Sequence, residues 1–189
     1  RANGGRFALA AAVQPTEGTA KLDAVLEGMG RGLDRELTDE EESRIDDVIE
    51  ELEDANPFPE PLNSKDGKEM VDGDWRLVYT NSSTTRFAKG FSGAHVVLPQ
   101  GRSADIRQTV DLVFSEITIF EDLKCFPGQT MTAMATGKVE IKDGEKYAWD
   151  PETWKLGPMT NGASGNRVIR SFCNGEITYL DDTYRIDRG

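Results

Sequence analysis

Bond-making chemistry needs titratable or nucleophilic groups that converge, and few residues of this chain qualify. His95 is the single histidine. Imidazole is the natural general base near neutral pH, but His95 stands in the apolar run Ala94–Leu98, where a histidine held by its strand neighbours accounts for it. Gly162-Ala163-Ser164-Gly165 sets a serine between glycines, yet the second glycine is misplaced for the turn that exposes a nucleophilic serine. Cys125 and Cys173 have no histidine, aspartate or second cysteine at ligand spacing, which argues against zinc. Two cysteines so far apart make no disulfide scaffold; free buried thiols are expected, with one bridge between neighbouring strands as the alternative. Gly28, Gly30 and Gly32 have a phosphate-loop look, but they follow a helix instead of joining a strand to one, so they read as its terminator. No enzyme and no metal site is expected.

Charge closes off further classes. The chain has 189 residues, 37% of them hydrophobic, and a formal net charge of -12. Between Glu36 and Asp54 eleven acids face the single Arg44, so that segment alone carries -10. Such carboxylates resemble a calcium collector but lack the glycine-turned loop of an oxygen cage, and a solvated helix face open to a basic partner is the simpler reading. No basic stripe offsets the repulsion of a phosphate backbone, so nucleic acid is not a partner, and simple electrostatic docking on anionic lipid is disfavoured. No apolar run approaches the roughly 20 residues of a spanning helix, so no transmembrane span is expected.

The elements that position these groups fall into a helical preface and a β body. Residues 1–18 read as a tail or the remnant of a targeting segment, since the chain opens at Arg1; its apolar run Phe7–Val13 offers Phe7, Leu9 and Val13 as residues that dock on a partner. Residues 19–56 form a helical segment. Thr19 caps a first helix with Leu22, Val25, Leu26 and Met29 on one stripe. Thr38 and Glu41 form a capping box for a second, whose stripe is Ile45, Val48, Ile49 and Leu52. Asn56-Pro57-Phe58-Pro59 stops it, and a polar linker runs to Val71.

Residues 73–189 form the body, in one domain with the helices. Gly73–Thr80 alternates Trp75, Leu77 and Tyr79 with Asp74, Arg76 and Val78, as a strand with one buried face requires. Asn81-Ser82-Ser83 is a turn. Strands are expected at Ala94–Leu98, twice within Ile106–Phe120, at Thr130–Lys142 with Val139 and Ile141 inward, and at Glu145–Trp149 across an Asp143-Gly144 turn. Trp154–Gly165 reads as loop, and Arg167–Phe172, Glu176–Leu180 and Thr183–Asp187 as closing strands. Some eight short strands with turns about every ten residues point to a mainly β fold, an antiparallel barrel behind two N-terminal helices.

Four stretches resemble the plastid lipid-associated protein family, also called fibrillins or plastoglobulins. They are Gly30-Arg31-Gly32-Leu33 with the helix ending Ile49–Pro57, then Gly73–Thr80, then Gln108–Asp111, and finally the closing Thr178–Gly189. The resemblance implies a lipocalin-like barrel, a plastid (chloroplast) location at thylakoids or plastoglobules, and lipid association without a chemical reaction; the stromal side is the one expected. Gly73-x-Trp75 with Arg185 or Arg188 resembles the lipocalin arrangement in which an arginine covers the tryptophan and shuts one end. Family members usually continue past the Arg-Gly into another apolar strand; here the sequence stops at Gly189, so that strand is missing or supplied from elsewhere.

Two functions follow. In the first, the barrel binds a lipophilic molecule such as a carotenoid, chlorophyll, quinone or acyl lipid in a pocket near Trp75, with Tyr79, Arg185 and Arg188 as ligand or barrel-closing residues, or it meets a lipid or thylakoid surface. In the second, the barrel is filled by its own side chains, and the protein is a peripheral subunit of a photosystem or antenna complex, docked through its helices and N-terminal segment.

Overall fold

The computed structural model describes residues 6–10, 17–93, 102–126, 128–163 and 168–189. Among them, nine strands form one antiparallel sheet: β1 (Arg6–Ala10), β2 (Gly73–Thr80), β3 (Arg102–Asp111), β4 (Glu116–Phe126), β5 (Gln129–Ile141), β6 (Lys146–Leu156), β7 (Met159–Gly162), β8 (Asn174–Leu180) and β9 (Tyr184–Arg188). Their order is β5-β4-β3-β2-β1-β9-β8-β6-β7, and β5 also pairs with β6. Eight strands therefore close a ring, with β7 added at the end of β6. Closure removes the unpaired edges that such a set would otherwise present.

The hairpin β5–β6 shows how local sequence builds this wall. The carboxylate Oδ1 of Asp143 accepts from the N–H groups of Glu145 (2.9 Å) and Lys146 (2.7 Å), which fixes the tight turn. Val139 faces the core, whereas Ile141, expected beside it, is exposed near the turn.

The first strand corrects the reading of residues 1–18 as a tail. Strand β1 lies between β2 and β9, with Phe7 opposite both Thr80 and Asp187. It joins β2 to β9 and closes the ring, a place expected to be empty or supplied from elsewhere. Phe7 and Leu9 point into the barrel and are buried, and the small Ala8 faces the other way.

Helix α1 (Glu17–Leu26) and helix α2 (Asp39–Asp54) lie against the outside of the wall made by β2, β1, β9 and β8. Leu22, Ile45, Ile49 and Leu52 pack on Ala8, Tyr79, Tyr179, Tyr184 and Ile186, forming a second core separate from the barrel interior. The capping box of α2 is complete: Thr38 Oγ1 accepts from Glu41 N–H (3.2 Å), and the Glu41 carboxylate accepts from Thr38 N–H (2.9 Å). The Arg35 guanidinium, and then this backbone bond, hold Glu41 down to about 2.

Other expectations shift for local reasons. Serine caps turn the polar linker into helix α3 (Lys65–Val71) and the turn after β2 into helix α4 (Ser83–Phe87): Ser64 Oγ accepts from Gly67 N–H at 2.9 Å and Ser82 Oγ from Thr85 N–H at 3.4 Å. The expected loop Trp154–Gly165 instead continues β6 and returns as β7. Ile169–Phe172 is a 3-10 turn where a strand was expected. The expected strand Ala94–Leu98, with His95, lies outside the described residues.

Candidate functional site

Strand β9 sets the interior site by simple alternation. Arg185 and Asp187 face into the barrel, while Tyr184 and Ile186 face the helices. The Arg185 guanidinium lies over the Trp75 ring, 5.0 Å from its centroid. Its Nη2 donates to Asp187 Oδ2 at 3.0 Å and to Gln108 Oε1 on β3. Trp75 Nε1 in turn donates to the Val71 carbonyl at 2.9 Å, so the end of α3 fixes the indole that Arg185 covers. Such a stack contributes on the order of 0.5 to 2 kcal/mol.

Asp187 Oδ2 takes a second donor, the Tyr147 hydroxyl, at 3.0 Å. Tyr147 reaches it because β8 carries Gly175 at the crossing: a Cβ there would sit 2.4 Å from the tyrosine ring. Burial pushes the Tyr147 phenol far above its usual value, so it is a neutral donor. Burial also pushes the Asp187 carboxyl up, opposed by Arg185 and by the tyrosine hydroxyl. Two polar atoms of the cluster, Arg185 Nε and Asp187 Oδ1, have no partner among the described residues.

Beside the cluster, about 30 Å³ is free, partly open and walled by Phe7, Leu9, Leu77, Ile106, Ile119 and Phe172. That holds a water or a group of similar size. A pocket for a drug-sized ligand needs some 300–1,000 Å³. Side chains crowd this well, among them the tilted pair Phe7 and Phe172 with centroids 5.0 Å apart.

A second inward carboxylate, Glu121 on β4, lies elsewhere in the barrel. It accepts from Ser92 N–H at 2.9 Å, and burial raises its pKa. Gly90, at φ 144°, allows this approach, since a Cβ there would fall 1.8 Å from Glu121 Oε1.

On the surface, the turn between β3 and β4 carries Val113 and Phe114, which are 85% and 72% exposed. The turn is tied down on both sides. Leu112 N–H donates to Asp72 Oδ1 (2.6 Å), Phe114 N–H to Asp111 Oδ1 (2.9 Å), Val139 N–H to the Ser115 carbonyl (2.9 Å), and Lys138 Nζ to the Phe114 carbonyl (3.3 Å). Two large apolar side chains are thus held in water on a braced turn.

Of the site residues expected from the sequence, the structure brings together Trp75 and Arg185. Arg188 instead pairs with Glu53 of α2 outside the barrel. Tyr79 changes sides: the β1–β2 register slips so that Leu9 opposes Leu77 but Ala8 opposes Tyr79, leaving Val78 as an extra residue. That bulge turns Tyr79 out under the helices, where burial raises its hydroxyl to about 12 and Arg86 lies 6.0 Å from its ring centroid. Phe7 and Leu9, expected on a docking segment, are interior wall residues, and Val13 lies outside the described residues. Gln108, Tyr147, Asp187 and the Val113–Phe114 pair were missed. Asp187 had a signal, two residues beyond Arg185 on the same strand face, and so did Val113 and Phe114, two apolar residues in a turn.

Cys125 and Cys173 are free thiols. Among the described residues no group of three His, Cys, Asp or Glu is placed to hold a metal, and no helix is long and apolar enough to cross a membrane.

The PAP_fibrillin family model matches residues 16–174, most of the chain. The chain belongs to the PAP_fibrillin family. It is 28% identical to plastid-lipid-associated protein 6, chloroplastic, of Arabidopsis thaliana, over 89% of the chain and 65% of that relative. The chain thus spans just under two thirds of the relative's length. No solved structure matches it. In this fibrillin chain the family match includes Trp75 but ends before most of β8 and all of β9, so Arg185 and Asp187 lie beyond it, as does β1.

Proposed function

We propose that this fibrillin chain is a non-catalytic plastid lipid-associated protein that contacts lipid, at a thylakoid or plastoglobule surface, through the Val113–Phe114 turn. The exposure of that pair on a braced turn carries the reading. A protein partner needs a matching pocket for two protruding side chains; a lipid phase accepts them without one. Family membership and the chloroplastic, plastid-lipid-associated relative support the same reading. A large pigment fits poorly in the well beside Asp187, where about 30 Å³ is free.

Burying one valine and one phenylalanine contributes roughly 1.5–3 kcal/mol each, enough for reversible attachment. With a formal charge of -12, attachment should not strengthen on anionic lipid. Flotation with vesicles of neutral galactolipid tests this. The double variant Val113→Ser, Phe114→Ser should lower the bound fraction at least tenfold, and equal flotation of variant and wild type sinks the proposal.

A further inference from the structure

We infer that the cleft between β6 and the turn Ile169–Phe172, on the outside of the barrel, holds a neutral sugar, so that the lipid met by the Val113–Phe114 turn carries a hexose headgroup. The acyl part of that ligand rests on the lipid-surface reading; its sugar does not, and can be tested without lipid.

The cleft exists because the sheet parts there. Strand β8 pairs with β6 only at Lys146, Tyr147 and Ala148, and β7 joins β6 only at Thr153, so residues 150–152 have no strand on that side. Pro151 suits the gap, since its missing N–H costs no ladder bond. The opening measures about 680 Å³, inside the range of roughly 300–1,000 Å³ for small-molecule sites, and Lys138, Glu140, Asp150, Arg170 and Asn174 stand exposed around it. Lys138 also donates to the Phe114 carbonyl (3.3 Å), so the cleft adjoins the apolar turn.

Its charges select the ligand. Two cations cancel two acids, so a head of one sign meets as much repulsion as attraction. Lys138 and Glu140 are engaged, with Glu116 (3.6 Å) and Lys142 (2.6 Å). Arg170 and Asp150 form no ion pair among the described residues, with each other or with a neighbour. Yet both act on the Cys173 thiol, whose pKa burial raises, with Arg170 opposing and Asp150 adding to the rise. A free guanidinium and a free carboxylate thus stand around one neutral thiol. A hydroxyl accepts from the first and donates to the second, and a hexose carries several on adjacent carbons. A zwitterion also meets both charges but has no group left for the Asn174 amide and the open backbone. Trp149, beneath, is 2% exposed, so no aromatic face is offered to a quaternary ammonium or a flat ring.

Methyl β-galactoside titrated into the isotope-labelled chain at pH 7.5, followed by amide NMR shifts, tests the sugar alone. Saturable shifts should centre on Asp150, Cys173 and Asn174. The double variant Asp150→Asn, Arg170→Gln changes two exposed residues that the fold does not need, and should weaken binding at least tenfold. No saturable shift at the cleft, or tighter binding of phosphoethanolamine, overturns the assignment. Flotation then separates the cleft from the turn. Wild type should float at least threefold better on vesicles of phosphatidylcholine with galactolipid than on phosphatidylcholine alone. The cleft variant should lose that preference and still float, whereas Val113→Ser, Phe114→Ser should lose flotation and keep the sugar shifts. A preference that survives in the cleft variant, or sugar shifts in a wild type that shows no preference, overturns the glycolipid.

Discussion

The two walls of the barrel follow different rules. Strands β3 to β6 present one face to water, and β5 accordingly alternates: Ala133, Ala135, Gly137 and Val139 are buried, while Thr132, Lys138 and Glu140 are exposed. The wall of β2, β1, β9 and β8 is sealed on both sides, by the interior and by α1 and α2. There Tyr184, Arg185, Ile186 and Asp187 are all buried in succession. Sheets covered on both faces lose the polar alternation that labels their sides. Side-chain direction can therefore be read from sequence only where water stands on one side. Register slips occur in both walls, after Leu77 in β2 and after Ile177 in β8, and also in β3, β4 and opposite Gly137 in β6.

The largest test of that contrast removes residues 1–10. Both β2 and β9 then lose a partner, and the chain should lose its single cooperative urea transition followed by tryptophan fluorescence. An unchanged midpoint shows that the ring closes without β1. Next, Ile49→Ala, on the face of α2 that covers the wall, should cost about 2–5 kcal/mol in denaturant unfolding. Thr136→Ala, across from Thr118 on the other wall, should stay within about 0.5 kcal/mol. Similar losses at the two positions erase the distinction between the walls. Thr38→Ala should cost about 1 kcal/mol by breaking the cap that starts α2.

The last test is a slope. Burial raises the folded-state pKa of Glu121 above its ordinary 4.5, so its contribution to stability is fully present at a pH below that value. The contribution is lost as pH rises through the raised value. The stability of wild type relative to Glu121→Gln should therefore fall with rising pH, measured by urea unfolding across the range. A flat difference shows that the carboxylate is solvated.

The contrast also explains how much was legible beforehand. The barrel, both major helices, the Thr38 capping box and the Asp143-Gly144 turn follow from local residue types, and each is found. Arg185 over Trp75 followed from resemblance. Tyr79 went astray because alternation predicts its side from Trp75 and Leu77, and nothing in Leu77-Val78-Tyr79 announces a bulge. Strand β1 went unrecognised because five residues flanked by glycine and alanine carry too little pattern to outweigh their position in the chain. The Tyr147–Asp187 bond joins residues of two strands through a close crossing at Gly175, and pairing of that kind is invisible without the register. Val113 and Phe114 sit between turn residues, where apolar side chains break the usual rule; that breach was itself the signal.

The seating of β1 has a consequence for biosynthesis. Its hydrogen-bonded neighbour β9 is the last of the described strands to emerge from the ribosome, so the ring cannot be sealed until all of them have been translated. Throughout that interval Phe7 and Leu9 stay uncovered in the nascent chain. They form a sticky handle for chaperones, and it disappears at the moment the circle is complete.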